Sequence, residues 1–127
     1  MPDPTAAELL AEDPFAAHLG VRLVDTDPLT VEMTVAEAHC NFLGTAHGAV
    51  IYGIADVALS LVSNTEGKPA FMIDSHLVAS ARADVGDRLT ATTERVTLGN
   101  TLGTYRITVT NQDERVVAAF TGTVIRR

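Results

Sequence analysis

The sequence predicts an α+β fold in which one curved antiparallel sheet wraps a single long helix, with a short helix at the N-terminus. Two patterns carry the prediction. Between Thr45 and Ser63 apolar residues cover almost every side of a helix. From residue 70 onward the pattern switches to period two and stays there. The 127 residues, 46% hydrophobic and 20% charged, amount to one domain over 1–127 with a real core. That composition excludes intrinsic disorder for the bulk of the chain.

The elements follow in order. Residues 5–18 read as a short helix, with Thr5 as N-cap and Glu8 reaching back in a capping box. Pro14 interrupts it and Gly20 ends it. Residues 21–37 read as a strand pair or one long bent strand. There Leu29, Val31, Met33 and Val35 alternate with Thr30, Glu32, Thr34 and Ala36, and residues 25–28 form the bend. A loop over 37–44 feeds the long helix, whose first residue is expected near Thr45 and whose terminators are Asn64 and Gly67. Strands are expected near 70–80, 87–97, 101–111 and 115–126, with turns at Gly86-Asp87, Gly99-Asn100 and 111–113. Connections this short imply antiparallel neighbours.

Ala49, Val50, Ile51, Ile54, Ala55, Val57, Ala58, Leu59, Leu61 and Val62 surround the long helix. Such a helix is buried on most sides, and a chain of this size has no second sheet to do it. A curved sheet is expected to wrap the helix and a second subunit to cover the remainder.

Several function classes are disfavoured. Nine Lys+Arg against sixteen Asp+Glu give a formal charge of -7, which argues against binding nucleic-acid phosphates. Cys40 is the single cysteine, so an internal disulfide and a cysteine-built metal site are excluded. Asp74 and His76 share one strand face, but two ligands are too few for a metal. The run Ala49 to Val62 is broken by Asp56 and Ser60 and is too short for a membrane span. The N-terminus lacks the basic and apolar regions of a signal peptide, so a cytoplasmic protein is expected. Arg126 and Arg127 read as a solvated tail.

Asp56 is the anomaly, a carboxylate inside the apolar run GIADVAL. Either it lies on a narrow solvent strip or pairs with an Arg or hydroxyl, or it is a base or nucleophile in a cleft. The helix entry, Asn41 to Ala49, is the second feature. A helix start presents free N–H groups, and Gly48 lets a ligand come close to them, a geometry that suits an oxyanion. The bland alternative is a plain entry capped by Thr45. His47 and Asp56 are nine residues apart, about 13 Å along a helix, so they cannot share one small reacting centre within a chain. They can meet if two helices pack antiparallel across a two-fold axis.

The spacing Asn41-x5-His47-Gly48-x7-Asp56, with the ending VVAAFTGTVIRR, resembles hotdog-fold acyl-CoA thioesterases of the phenylacetate-degradation type over roughly residues 14–126. The resemblance implies a hotdog sheet around one helix, with sites at the interface of a homodimer and dimers paired into a homotetramer. It implies that Asp56 attacks the thioester or activates water, that the Gly48 N–H polarises the carbonyl, and that Asn41 and His47 shape and hold the pocket. The substrate would be a medium-chain or aryl acyl-CoA, with no metal or redox cofactor, coenzyme A being part of the substrate. This chain departs from the family at Ala49, where a second glycine is usual and a methyl narrows the pocket. The strand position facing the carboxylate falls at Asp74, or at Ser75 if the register moves by one. Ser80-Ala81-Arg82-Ala83 stands where Arg-Pro is common, and Gly99-Asn100-Thr101 where basic residues are common. Arg82 and Arg88 are thus the candidates for coenzyme A phosphates. The rivals are a hotdog hydratase, which needs a different Asp/His arrangement, and a non-catalytic acyl-CoA binding or regulatory protein on the same scaffold.

Overall fold

The computed structural model describes residues 3–127. Its N-terminal segment holds two helices rather than one interrupted helix. In α1 (Ala6–Ala11), Thr5 accepts from the Glu8 amide at 3.1 Å and Glu8 reaches back to the Thr5 amide, the expected capping box. Pro14 does not interrupt this helix but starts the next, α2 (Pro14–Leu19), where its missing N–H costs nothing. Asp13 caps α2 by accepting from the Ala16 amide at 3.0 Å, and Gly20 closes it in the left-handed region at φ 75°.

The strand-pair reading of the next segment holds, as β1 (Arg22–Thr26) and β2 (Leu29–Thr34). The long helix, α3, runs Gly48–Ser63. It begins later than expected because Thr45 and Ala46 are extended, bridging Asp84 and Cys40. Then come β3 (Ala70–Ala79), β4 (Arg88–Leu98), β5 (Leu102–Thr110) and β6 (Val116–Arg126), each within two residues of its expected place.

One six-stranded antiparallel sheet results, in the order β1-β2-β4-β5-β6-β3. Consecutive β3 and β4 are therefore not neighbours, against the short-connection expectation. Residues 80–87 are long enough to carry the chain across the open side of the curved sheet. They pair with the helix entry as they pass, the Ala46 amide donating to the Ala83 carbonyl at 2.8 Å.

The concave face buries Met33, Leu89, Tyr105, Ile107 and Phe120 against Ile54, Ala58 and Leu59 of α3. Gly122 sets how close helix and sheet can come, since a Cβ there would lie 2.7 Å from Leu59 Cδ2. The outer side of α3 is covered by this chain's own α2. A Cβ at Gly53 would sit 3.1 Å from Leu19 Cδ1 and 3.2 Å from Phe15 Cζ. Much of the burial that the sequence argument assigned to a second subunit is thus made internally. What stays open on α3 is one stripe, with Ala49 exposed and Tyr52, Asp56 and Ser60 half-buried.

Arg126 is not a solvated tail. It is 9% exposed, and its guanidinium donates to the Glu66 carbonyl at 2.7 Å and to the Gly99 carbonyl, tying the turn after α3 to the β4–β5 hairpin. Arg126→Met keeps the apolar stem and removes both bonds. It is expected to cost about 2–4 kcal/mol, because hydrogen bonds from charged donors are among the stronger ones and two carbonyls lose their partner. Urea unfolding of the variant checks this, and an unchanged midpoint would show that the clamp adds no stability.

Among the described residues no helix is long and apolar enough to cross a membrane.

Candidate active site

The site is built from the loop that enters α3, the open stripe of α3, and the elements flanking that stripe. Asn41 organises the loop. Its side-chain carbonyl accepts from the Leu43 amide at 2.9 Å and from the Thr45 amide and hydroxyl at 3.4 Å each. Its backbone donates to the Thr45 carbonyl at 2.9 Å. Its side-chain NH2 group has no acceptor among the described residues.

His47, not Thr45, is the N-cap of α3. Its Nδ1 accepts from the Ala49 amide at 2.9 Å, and its backbone carbonyl accepts from Val50 and Ile51. A helix start carries four N–H groups without a helical partner. Two of them, on Ala49 and Val50, are satisfied here by His47, and the third, the amide of His47 itself, donates to the His39 carbonyl at 2.8 Å. The fourth, on Gly48, has no acceptor among the described residues, and a Cβ at Gly48 would meet nothing within 4 Å. The entry thus presents a single free donor, at the positive end of the helix dipole and open to approach. The methyl of Ala49 lies exposed beside it.

Asp56 lies two turns further along α3. A solvent strip or a polar partner is one of the two expectations for this residue. The strip is there, but among the described residues it has neither hydrogen bond nor ion pair. Burial, and after it the charge of Asp13, hold its carboxyl above the ordinary carboxylate range. Eight residues separate Gly48 from Asp56, about 12 Å along the axis, so one chain does not bring them to one centre.

Two walls flank Asp56. On one side are Asp13, the N-cap of α2, whose charge acts on Asp56, and Phe15, whose ring lies over Gly53 one turn before Asp56. On the other, the Tyr52 hydroxyl shares a hydrogen bond of 2.8 Å with Ser75 of β3 and lies 3.6 Å from Met72 Sδ. The Tyr52 ring packs edge-on against Phe120 with centroids 5.4 Å apart. The strand position facing the helix belongs to Ser75, not to Asp74. A bulge between Met72 and Asp74 shifts the register so that Ser75 opposes Gly122 and the exposed Asp74 opposes Thr123 on the outer face. Asp74 therefore does not face the helix in this chain, and the alternative register at Ser75 is the one observed. The carboxylate that acts on Asp56 is Asp13. Sequence reasoning missed it, although Asp13-Pro14 is a recognisable helix start.

Arg82 lies in the 80–87 connection, next to the Ala83 carbonyl that pairs with the helix entry, and its Nε is 3.4 Å from Asp84. Arg88 begins β4 and turns toward Glu32 of β2 at 3.8 Å. Both are exposed. A groove of about 740 Å³ lies at the far end of α3, among Val62, Glu66, Thr93 and Arg95, and includes none of these residues.

Residues 43–118 match the Thioesterase superfamily. A presumptive esterase of Deinococcus radiodurans is 41% identical over 116 residues, covering 89% of this chain and 79% of that protein. Acyl-coenzyme A thioesterase PaaI of Escherichia coli is 29% identical over 119 residues, 92% of this chain and 85% of that protein. The structure of E. coli PaaI, from the phenylacetic acid degradation operon, matches with a TM-score of 0.92 over 97% of this chain and 91% of that one. A Streptococcus mutans protein solved with acetyl CoA matches at 28% identity and a TM-score of 0.81, over 84% of this chain and 88% of that one.

Proposed function

From the premise that the chain belongs to the thioesterase superfamily, with its hotdog fold and thioester hydrolase chemistry, we propose that it hydrolyses a medium-chain or aryl acyl-CoA to the free acid and coenzyme A. The observation that carries this reading is the pairing of one free helix-start N–H, on Gly48, with one unpaired carboxylate, on Asp56. The Gly48 N–H binds the thioester carbonyl and stabilises the negative charge that its oxygen gains in the tetrahedral transition state. Asp56 takes a proton from water as the water oxygen bonds to the carbonyl carbon, or attacks that carbon itself to give an acyl–Asp56 anhydride that water hydrolyses to the free acid once coenzyme A has left. The carbon–sulfur bond then breaks, and coenzyme A leaves as a thiolate that needs little acid help. Asn41 and His47 hold the entry in shape. No metal or redox cofactor enters the scheme, and coenzyme A is part of the substrate.

In this reading the Gly48 of one subunit works with the Asp56 of another. The sheet edge supports a second copy. The ten residues of β3 have no strand on their outer side, and Phe71 and Ile73 are 61% and 57% exposed, an edge that invites pairing. We extend the reading to a homodimer at least, assembled further into a homotetramer, acting in the cytoplasm on products of aromatic-acid activation such as phenylacetyl-CoA.

The test is release of free thiol over a panel of aryl, medium-chain and short acyl-CoAs. Turnover of the aryl or medium-chain members is expected. Tight binding without release would favour the non-catalytic binding protein instead. Arg82, beside the helix entry, is the better placed of the two arginines for coenzyme A phosphates. Exposed phosphate contacts are screened by salt. The Michaelis constant is therefore expected to rise with ionic strength, and Arg82→Ala to raise it several-fold with turnover unchanged. A Michaelis constant that ignores both salt and the substitution would remove Arg82 from the site.

A further inference from the structure

Resting on the hydrolase reading above, we infer that Phe15 of α2 is the wall of the acyl slot beside Asp56 and sets how bulky an acyl group the site accepts. Three observations point there. First, α2 is seated on α3 at Gly53. The Phe15 ring lies over the helix backbone, since a Cβ at Gly53 would come 3.2 Å from Cζ and 3.3 Å from Cε2. Residues three apart on a helix share a face, so the ring that covers Gly53 stands next to Asp56. Second, the two apolar residues that α2 lays on Gly53 differ in their burial. Leu19 is 4% exposed and acts as the anchor, whereas Phe15 is 51% exposed and leaves half of a ring open beside an unpaired carboxylate. The helix pair would stay seated on Leu19 alone, so the open half of the ring is available to a ligand. Third, the opposite wall is apolar as well as polar. Met72 is 38% exposed with its Sδ 3.6 Å from the Tyr52 hydroxyl, and the Tyr52 ring packs edge-on against Phe120.

The slot therefore offers an aromatic ring on one side and an aromatic ring with a thioether on the other, with Asp56 between them. Such walls suit an aryl or alkyl group and give an acetyl group little to touch. Phe15 touches neither the thioester carbon nor its oxygen in this arrangement, so it is a specificity-determining residue and not a catalytic one.

The experiment compares wild type with Phe15→Ala, Phe15→Leu and Phe15→Trp on three acyl groups: acetyl, hexanoyl and phenylacetyl. Each is presented as the thioester for kcat/KM and as a non-hydrolysable thioether analogue for Kd by calorimetry. In Phe15→Ala the hexanoyl and phenylacetyl ligands are expected to lose about 10- to 100-fold in both quantities, the worth of a lost apolar wall, while acetyl changes by less than about 2-fold. Phe15→Leu keeps α2 seated and falls between, which guards against a variant that merely unfolds. Phe15→Trp thickens the wall and rejects phenylacetyl most. Losses equal for all three acyl groups, or no losses, would overturn the assignment. If wild type binds the analogues but turns over no thioester, the hydrolase reading fails and the Kd series still decides on Phe15. If it binds none of them, both fall.

Discussion

Asp56→Asn is expected to lower turnover by a factor of about 10² to 10⁴, the range for a lost general base, without loss of fold or substrate binding. The amide has nearly the shape of the carboxyl but can neither take a proton from water nor attack a carbonyl. The direction of the stability change follows from the environment of the residue. Burial and the Asp13 charge hold the folded carboxyl above its ordinary value. A group raised in this way favours the folded state at pH below the ordinary carboxylate range. That contribution is lost as pH rises through the raised value, so near neutrality the charged form is a cost. The variant removes the cost, and its thermal midpoint is expected to hold or rise. The same shift sets the acid limb of the wild-type rate profile, which is expected above the ordinary carboxylate range because only the ionised form is a base. Asp13→Asn removes the neighbouring charge yet still caps α2, so it should move that limb to lower pH. A large fall in the Asp56→Asn midpoint with near-normal turnover would overturn the catalytic role.

Much of the framework was legible because it rests on local periodicity. The strands after residue 70 fall within two residues of their expected places, since alternation along a half-buried strand is written in the chain itself. What was not legible depends on contacts between distant segments. The place of β3 at the sheet edge is decided by a connection that crosses the open face, and nothing in its composition says so. The exchange of Asp74 for Ser75 comes from a single bulge, which reverses which face each residue takes. Arg126 sits at a chain end and reads as solvated until two turns from elsewhere present carbonyls to it. His47 is missed as a cap because caps are usually Ser, Thr, Asp or Asn, and Thr45 stands two residues earlier. The positions of Asn41, Gly48 and Asp56 were legible. That Gly48 keeps the single free N–H was not, because this follows from the His47 cap.

That free N–H can be deleted without disturbing the helix. Gly48 is the first residue of α3, a position where proline is well tolerated because its missing N–H has no helical partner. The residue before a proline must be extended, and His47 already is, at φ -61° and ψ 141°. Gly48→Pro therefore removes one donor and leaves the His47 cap on Ala49 in place. Turnover is expected to fall by about 10² to 10³, the usual cost of one oxyanion donor. Gly48→Ala keeps the N–H and adds a methyl into open space, so it measures crowding alone and should lose far less. The two disabled proteins also test the composite site. A mixed dimer of Asp56→Asn and Gly48→Pro subunits carries one site with both lesions and one with neither, if each site takes Gly48 from one chain and Asp56 from the other. Unfolding and refolding an equal mixture should then restore about a quarter of wild-type activity, since half of the randomly paired dimers are mixed and each has one intact site of two. If each chain built its whole site alone, every site in the mixture would carry a lesion and no activity would return. Refolding wild type in parallel shows whether assembly itself is recovered, so an inactive mixture beside an active control would sink the two-chain site.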